Sequence, residues 1–302
     1  MTTIAAPAPT VWNPRLTLRR WIGRIFVGAC LLAVLVGLTM LGALVVDVLL
    51  DGASRLFGLP TILDTDFLNS FASRFPDRAG VKAAVIGTLY MMAITAAVAF
   101  PLGVAAAIYL EEYARRNWFS RLVQLNIANL AGIPSIVYGL LGLQLFVRAM
   151  ELERSVLSGS LTMALLVMPI IIVAGQESLR AVPPSMREGA YALGATRWQV
   201  TRSVVLPYAF GGMLTGNILA MSRAIGETAP LIMIGALTFI AFLPQDPLDP
   251  FTVLPIQIFN WVSRPQPGFQ EIAAAGIILL LIILLIMNSL AIFLRAKTRV
   301  RW

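Results

Sequence analysis

An arginine and a glutamate stand four residues apart in a segment that is otherwise apolar enough to cross a membrane. Arg223 and Glu227 belong to residues 209–229, and Thr228 follows the glutamate directly. An arginine at the centre of a bilayer costs about 2.5–3.5 kcal/mol even on lenient insertion scales. A spacing of four places both side chains on one helix face, where their charges partly neutralise each other. Since a guanidinium offers a planar fork of donors to an oxyanion, the pair predicts either a structural ion pair or the lining of an aqueous anion path.

Two further polar side chains join this candidate path. Asn217 lies in the same apolar segment, and Ser135 follows Pro134 in an earlier one. Polar groups in a membrane segment need partners inside a bundle, and a proline there permits a kink that neighbouring protein must satisfy. For the earlier segment, two interpretations stay open, which are helix packing alone and a lining of the substrate path.

A polar loop, residues 176–207, separates two membrane-length apolar segments. Ser185 with Glu188 three residues later fits a capping box, and Thr196 with Gln199 fits a second one. Each box predicts the start of a short helix. The arginines and glutamates of this loop have no use in lipid, so we expect the loop to work in water.

Glycine and proline residues predict where these two short helices end. Gly194 falls between the boxes, where a helix end favours a residue that tolerates positive φ. A pair of prolines at 183–184 blocks helix upstream, and Pro207 after Leu206 predicts the end of the second helix. The pattern predicts a helix–turn–helix on a membrane face that serves as a docking surface; an ordinary amphipathic loop is the alternative.

Composition places the chain among integral membrane proteins. Of 302 residues, 58% are hydrophobic and 13% are charged, and the mean hydropathy is +0.83. Soluble domains carry about 25% charged residues. Histidine is absent and Cys30 is the single cysteine, which excludes an intrachain disulfide and a histidine or multi-cysteine metal site.

Six apolar stretches have the roughly 20 residues that a bilayer core requires. They predict an all-α integral membrane protein with six transmembrane helices at residues 25–46, 83–110, 122–147, 156–175, 209–229 and 272–294. Lysines and arginines number 15 at the two termini and in the loops on their side, against 7 in the alternate loops. By the positive-inside rule, both termini and the polar loop are cytoplasmic.

The spans divide the chain into a first anchor and a transmembrane core. The first apolar run is longer than the 7–15 residues of a signal-peptide core, so we expect it to stay as an anchor. A shorter apolar segment, residues 231–243, predicts a re-entrant or interfacial hairpin on the outer side. The predicted divisions are a cytoplasmic tail at 1–24, the anchor at 25–50, an extracytoplasmic loop at 51–80, a transmembrane domain at 81–295 and a cytoplasmic tail at 296–302.

The polar loop resembles the EAA loop of importer-type ABC permeases. Six residues stand at the spacing of that motif: Glu188, Gly189, Ala190, Gly194, Leu206 and Pro207. The chain departs from the pattern at Gly189, where alanine is usual, and at Val204, where isoleucine is usual. The resemblance implies an importer-type ABC permease fold, with these residues forming a coupling helix that sits in a cleft of a separate ATPase subunit.

Three other stretches are similar to the permeases of the phosphate-specific (Pst) import group. They are RAIGETAPL from Arg223, GIPSIVYG from Gly132 and LPIQIFNW from Leu254. The third stretch and the short N-terminus resemble the A-type subunit of that group. The similarity covers about residues 80–295.

The resemblance implies half of a translocation path for inorganic phosphate in the bacterial inner membrane, surrounded by lipid. The implied partners are a C-type permease subunit as heterodimer, a dimer of ATPase subunits and an extracytoplasmic phosphate-binding protein, with no role for nucleic acid. The chain has no P-loop, since Lys82 and Lys297 are its only lysines and neither lies in a glycine-rich loop. We therefore expect no enzymatic activity and no cofactor in this chain, with ATP and Mg²⁺ bound by the ATPase.

Two alternatives remain for the substrate and the energy source. The first alternative is a permease for another oxyanion or small solute, such as sulfate or molybdate. The second is a secondary carrier that is driven by an ion gradient through Glu227. Carriers of that class usually contain internal repeats, and no repeat of 20–50 residues is visible here.

Overall fold

The chain folds into α-helices joined by π-helical turns and short loops. The structure, a computed structural model, describes residues 16–56, 65–115, 117–236 and 239–298. Within these ranges the only β pairing is an isolated bridge between Ser155 and Pro250. The α-helices are α1 (Leu16–Leu56), α2 (Thr65–Asn69), α3 (Lys82–Ile108), α4 (Trp118–Leu130), α5 (Ser135–Gly142), α6 (Val156–Arg180), α7 (Pro184–Ala192), α8 (Arg197–Val200), α9 (Leu206–Gly226), α10 (Ala229–Ile234), α11 (Leu254–Val262) and α12 (Pro267–Thr298). The predicted all-α class is confirmed.

The chain divides into two compact units. The first unit ends at Val48, and its described part is helix α1 up to that residue, which is apolar around its whole circumference. The second unit begins at Leu49 and holds the remaining helices. Helix α1 starts at Leu16, inside the region predicted as a tail, and the predicted domain boundaries stay predictions.

Helix α6 forms the centre of the second unit. It packs against α3 on one side and α9 on the other, and most of its side chains are buried. Glycines let the backbones approach: a Cβ at Gly103 would lie 2.6 Å from Ile171 Cγ2, and a Cβ at Gly216 would lie 2.3 Å from Ala174 Cβ. Close approach through small residues is the usual way in which membrane helices associate.

Five helices in the described ranges are long and apolar enough to cross a membrane, and a bent pair makes a sixth candidate. The bent pair is α4 with the segment Ser135–Ala149, and the two parts meet at an angle of 105°. Gly132 and Pro134 lie in the break. The predicted third span is thus a broken one, because proline disfavours helix in the residue before it and supplies no N–H.

The polar loop contains the predicted helix–turn–helix. Helix α7 ends one residue before Leu193, and Gly194 follows with φ +83°, so the positive φ predicted there is confirmed. Helix α8 begins after Thr196, whose hydroxyl accepts from the Gln199 N–H while the Gln199 side chain accepts from the Thr196 N–H. This second capping box is confirmed.

The predicted capping box at Ser185 and Glu188 is wrong. Helix α7 begins one residue earlier, at Pro184, and no side-chain hydrogen bond caps its start. Proline is favoured in the first turn of a helix because its missing N–H would be unpaired there in any case. Pro184 therefore takes the place that the sequence pattern assigned to a hydroxyl cap, and Ser185 becomes a helical residue.

The predicted helix end at Leu206 and Pro207 is also wrong. The chain is helical without a break from Arg197 to Gly226, through a π-helical turn at Thr201–Val205. In that turn the Leu206 N–H bonds to the Thr201 carbonyl, five residues back. The wider turn accommodates the proline, which lacks an N–H and would clash with a carbonyl in a regular α-helix.

The segment after Pro230 is a short helix followed by a loop. Helix α10 ends at Ile234, and Gly235 follows it with φ +89°. Residues 237–238 of the predicted hairpin lie outside the described ranges. Farther along, the Asp249 carboxylate accepts hydrogen bonds from the N–H groups of Asp246 and Gln245. These bonds hold the pKa of Asp249 below its ordinary value.

Candidate functional site

Arg223 and Glu227 form an ion pair at the end of helix α9. Arg223 Nε lies 3.2 Å from Glu227 Oε1. The helix stops at Gly226, and Glu227 is already extended with ψ 117°, so the pair spans the helix end rather than one regular helix face. The Arg223 side chain is 49% exposed and that of Glu227 is 20% exposed. The guanidinium thus lies at the surface of this chain, and its carboxylate partner is more buried.

Helices α5 and α10 pack tightly beside this pair. A Cβ added to Gly139 would lie 2.6 Å from Pro230 Cα and 2.8 Å from the Pro230 carbonyl oxygen. Such distances leave no room for any side chain. The stretches that begin at Gly132 and at Arg223, separated by about 90 residues in sequence, therefore meet at this contact.

Tyr138 links the broken span to the same region. Its buried side chain donates a hydrogen bond from Oη to the Leu130 carbonyl at 2.8 Å, across the break between α4 and α5. Leu130 is the last residue of α4, where helix carbonyls lack intrahelical partners. Tyr138 and Gly139 were not selected as site residues from sequence, although both lie in the stretch that resembles the Pst permeases.

Two of the predicted path residues lie at helix starts next to this contact. Ser135 is the first residue of α5, half-buried, one helical turn before Tyr138. Thr228 precedes α10 and is half-buried; its carbonyl accepts from the Ile232 N–H at 3.1 Å. Their roles in a path stay predictions.

Asn217 points to a different face of α9. It is buried, and its Nδ2 donates to the Met213 carbonyl at 2.9 Å, while Oδ1 has no hydrogen-bond partner in the described part of the chain. It lines a cavity of about 340 Å³ between α3, α9 and α12, whose wall also includes Asn288. Six residues along an α-helix amount to about 120° from Arg223. The structure therefore does not bring Asn217 to the ion pair.

The helix–turn–helix presents an exposed surface. Glu188, Gly189 and Gly194 are exposed. A Cβ added to either glycine would meet no neighbouring group within 4 Å. Leu193 is 90% exposed, and Tyr191 and Trp198 in the same helix–turn–helix are exposed as well. An apolar patch of this kind on a polar loop is typical of an interaction site.

The remaining three residues of the predicted docking set are half-buried. Ala190 packs on the core formed by the ends of α3, α6 and α9, and so does Leu206. Pro207 belongs to the first turn of α9. These residues connect the exposed surface to the membrane helices rather than forming part of that surface.

Ion pairs fasten the loop to the end of α3. Arg187 donates to Glu112 Oε1 at 2.9 Å and to the carbonyls of Leu179 and Val182 at 2.7 and 2.8 Å. Arg180 pairs with Glu111 at 3.0 Å, and also with Glu177 at 3.0 Å. The Arg187 contacts also satisfy carbonyls at the end of α6. The sequence signal was an adjacent pair of glutamates directly after an apolar span, facing a loop rich in arginine.

Hydrogen bonds and chain continuity connect the exposed loop to three membrane helices. Arg187 joins the loop to α6 through hydrogen bonds to carbonyls at the end of that helix, and to the end of α3 through the Glu112 carboxylate. The loop continues into α9 as one unbroken helix. The exposed loop is thus continuous in the chain with α9, the helix that carries Arg223.

Comparison with known proteins decides the family. The profile of the binding-protein-dependent transport system inner membrane component matches residues 99–300. The chain belongs to this family of permeases. It is thus a multi-pass protein of the bacterial inner membrane.

Relatives of this permease carry phosphate-transport names. The phosphate transport system permease protein PstA of Yersinia pestis is 35% identical over 220 residues, which are 73% of this chain and 74% of that protein. The phosphate transport system permease protein PstA 1 of Mycobacterium tuberculosis is 33% identical over 227 residues, 74% of this chain and 73% of the relative. The resemblance to A-type Pst permeases is confirmed.

Solved structures share the fold of this permease. An inward-facing structure of the MetNI methionine ABC transporter matches with a TM-score of 0.60 and 17% identity, over 72% of this chain and 95% of that one. A bacterial alginate ABC transporter, solved with an alginate-bound periplasmic protein, matches with a TM-score of 0.61 and 14% identity, over 90% and 94% of the chains. The predicted importer-type permease fold is confirmed.

Proposed function

We propose that this permease is the A-type membrane subunit of an ATP-driven inorganic phosphate importer and forms half of the translocation path. The relatives named PstA support the substrate, since they match along three quarters of the chain. The family supports the transport role.

The observation that carries this proposal is the Arg223–Glu227 pair in its setting. An arginine in an apolar helix is costly in lipid, and this one is half exposed on the chain's surface. Water, an anion or a partner subunit satisfies it there at a lower cost than hydrocarbon. Glu227 holds the guanidinium through Nε and leaves the two terminal nitrogens directed elsewhere. Those nitrogens supply a fork of donors for a passing oxyanion.

We assign ATPase docking to the helix–turn–helix around Gly194. Its exposed apolar side chains, Leu193, Tyr191 and Trp198, would enter the cleft of an ATPase subunit. ATP and Mg²⁺ belong to that subunit. ATPase closure would move the loop, and the continuous helix from Arg197 would transmit the movement to Arg223. Both termini and the docking surface would then be cytoplasmic, as the distribution of basic residues favours.

The second permease subunit completes the path. A C-type partner would face the exposed Arg223 and enclose the substrate between the two chains. A phosphate-binding protein outside the membrane would deliver the anion at the opposite end from the docking surface.

Substitution of the ion pair tests the assignment. In the complete complex reconstituted in vesicles, Arg223→Gln is expected to abolish ATP-dependent phosphate uptake while the complex still assembles. Arg223→Lys should restore only part of the uptake, because a point charge lacks the fork of a guanidinium.

A double variant separates transport from packing. If the pair only fixes structure, Arg223→Gln harms assembly by leaving Glu227 without its partner, and adding Glu227→Gln restores assembly and uptake together. The path assignment predicts that the double variant assembles and fails to transport. Full phosphate uptake by the double variant would leave the pair as a packing device.

A further inference from the structure

A polar pocket lies where the end of helix α3 meets the start of α4 and the end of α6. Its volume is about 360 Å³. Its polar wall consists of Glu111, Arg115, Asn117, Ser120, Arg121, Gln124 and Arg180. Three of these residues are arginines and one is a glutamate, whose carboxylate is already paired with Arg180 at 3.0 Å. The pocket therefore carries excess positive charge and donor groups.

An apolar groove continues from the pocket. It has a volume of about 270 Å³ and shares Leu110 and Ser120 with the polar pocket. Its other walls are Ala106, Tyr109, Phe119, Val123 and Ile127. The groove runs between α3 and α4, next to the membrane-crossing part of α3. One end of the combined cavity is thus cationic, and the other is hydrocarbon-like.

Helix α4 lies at the surface of this chain along its whole length. None of its residues is buried in this chain. Trp118, Leu122 and Leu125 form an exposed stripe at helical spacing, and Trp118 is 76% exposed. Tryptophan is enriched where acyl chains meet headgroups. The exposed Trp118 at the start of α4 therefore favours a headgroup depth for the pocket beside it.

We propose that the pocket and groove bind one anionic phospholipid. The phosphate of the headgroup would accept hydrogen bonds from Arg115 and Arg121, which make no ion pair within the described part of the chain. One acyl chain would lie along Val123 and Ile127. Basic pockets between transmembrane helices select anionic headgroups in this way. The site also touches Arg180, which leads into the docking loop, so the lipid would steady the junction between α3 and that loop.

Lipid retention tests the proposal. The complete transporter, in nanodiscs of phosphatidylglycerol and phosphatidylcholine, is extracted gently and its retained lipids are counted by native mass spectrometry. We expect the wild-type complex to keep phosphatidylglycerol over phosphatidylcholine. The double variant Arg115→Gln with Arg121→Gln should lose about 30-fold in this preference, the equivalent of about 2 kcal/mol at tenfold per 1.4 kcal/mol. Arg148→Gln, an exposed arginine outside the pocket, is the matched control.

A groove variant distinguishes a lipid from other occupants. Val123→Phe fills the groove without touching a charge, and it should weaken retention of phosphatidylglycerol. Suppose that Val123→Phe leaves the retention of phosphatidylglycerol unchanged and that added inorganic phosphate competes for the pocket. The pocket then holds a free anion rather than a lipid, and the proposal is overturned. Loss of the ATPase from the double arginine variant with unchanged lipid retention would show a protein contact instead. Equal retention of both lipids by the wild-type complex overturns the proposal without any variant.

Discussion

Gly139 sits at the contact that joins the broken span to the segment after the ion pair. Alanine at this position would place its Cβ 2.6 Å from Pro230 Cα, 2.8 Å from the Pro230 carbonyl oxygen and 2.9 Å from Met233 Cβ. Two of these atoms are backbone and cannot rotate away. We expect Gly139→Ala to push α10 away from α5 and to displace the chain that leads back to Glu227.

The size of the effect follows from these distances. Nonbonded carbon atoms pack at about 3.5–4.0 Å, so the backbones must separate by about 1 Å. Overpacking of this kind costs roughly 1–3 kcal/mol. For a unit of this size, such a loss lowers the Tm by roughly 2–12 °C.

The assay combines the Tm of the purified complex with its ATP-dependent phosphate uptake. Gly132→Ala is the matched control, because it lies in the same stretch and its Cβ would only meet the Asn129 carbonyl oxygen at an ordinary 3.5 Å. We expect Gly139→Ala to lower the Tm and reduce uptake, and Gly132→Ala to change neither by much. Wild-type Tm and uptake in Gly139→Ala would refute the close contact.

Three further predictions concern the polar loop and the loop that holds Asp249. Gly194→Val should weaken ATPase pull-down and uptake, because a β-branched residue at φ +83° costs about 1–2 kcal/mol; Gly189→Ala, with open space around it, should be tolerated. Arg187→Gln should lower the Tm and uncouple ATP hydrolysis from uptake, since it leaves the nearly buried Glu112 unpaired; adding Glu112→Gln should recover part of the Tm. The hydrogen bonds that depress the pKa of Asp249 stabilise its loop above the ordinary carboxyl pKa of about 3.9, and this stabilisation is lost as the pH falls through the folded-state pKa. Asp249→Asn should therefore speed amide exchange in the loop at neutral pH. In acid, where the wild-type carboxylate is itself protonated, the variant and the wild type should exchange at nearly the same rate.

Local patterns in the sequence predicted the membrane helices and one turn. Long apolar runs specify membrane helices because backbone polar groups must be satisfied within the segment. Gly194 was predicted because a helix end with positive φ favours glycine strongly. The Thr196 box was predicted because its bonds lie within four residues.

Features that depend on competition or on distant contacts were missed. Two helix-start signals overlap near Ser185, the Ser185 hydroxyl cap and the first-turn proline Pro184. The helix begins at Pro184, and the hydroxyl cap does not form. At Pro207 the sequence gives no warning that a π-helical turn lets the helix continue. The pairing of Arg187 with Glu112, and the contact of Gly139 with Pro230, join residues 75 and 91 positions apart and depend on packing that periodicity does not encode.

Uptake of labelled phosphate by the reconstituted complex tests the central claim most directly. The chain is purified with its partner permease subunit and ATPase, placed in proteoliposomes and supplied with the binding protein. We predict uptake that requires ATP and the binding protein, prefers phosphate to sulfate and molybdate, and disappears in Arg223→Gln. Uptake without ATP under a proton gradient, or a preference for another oxyanion, would contradict it.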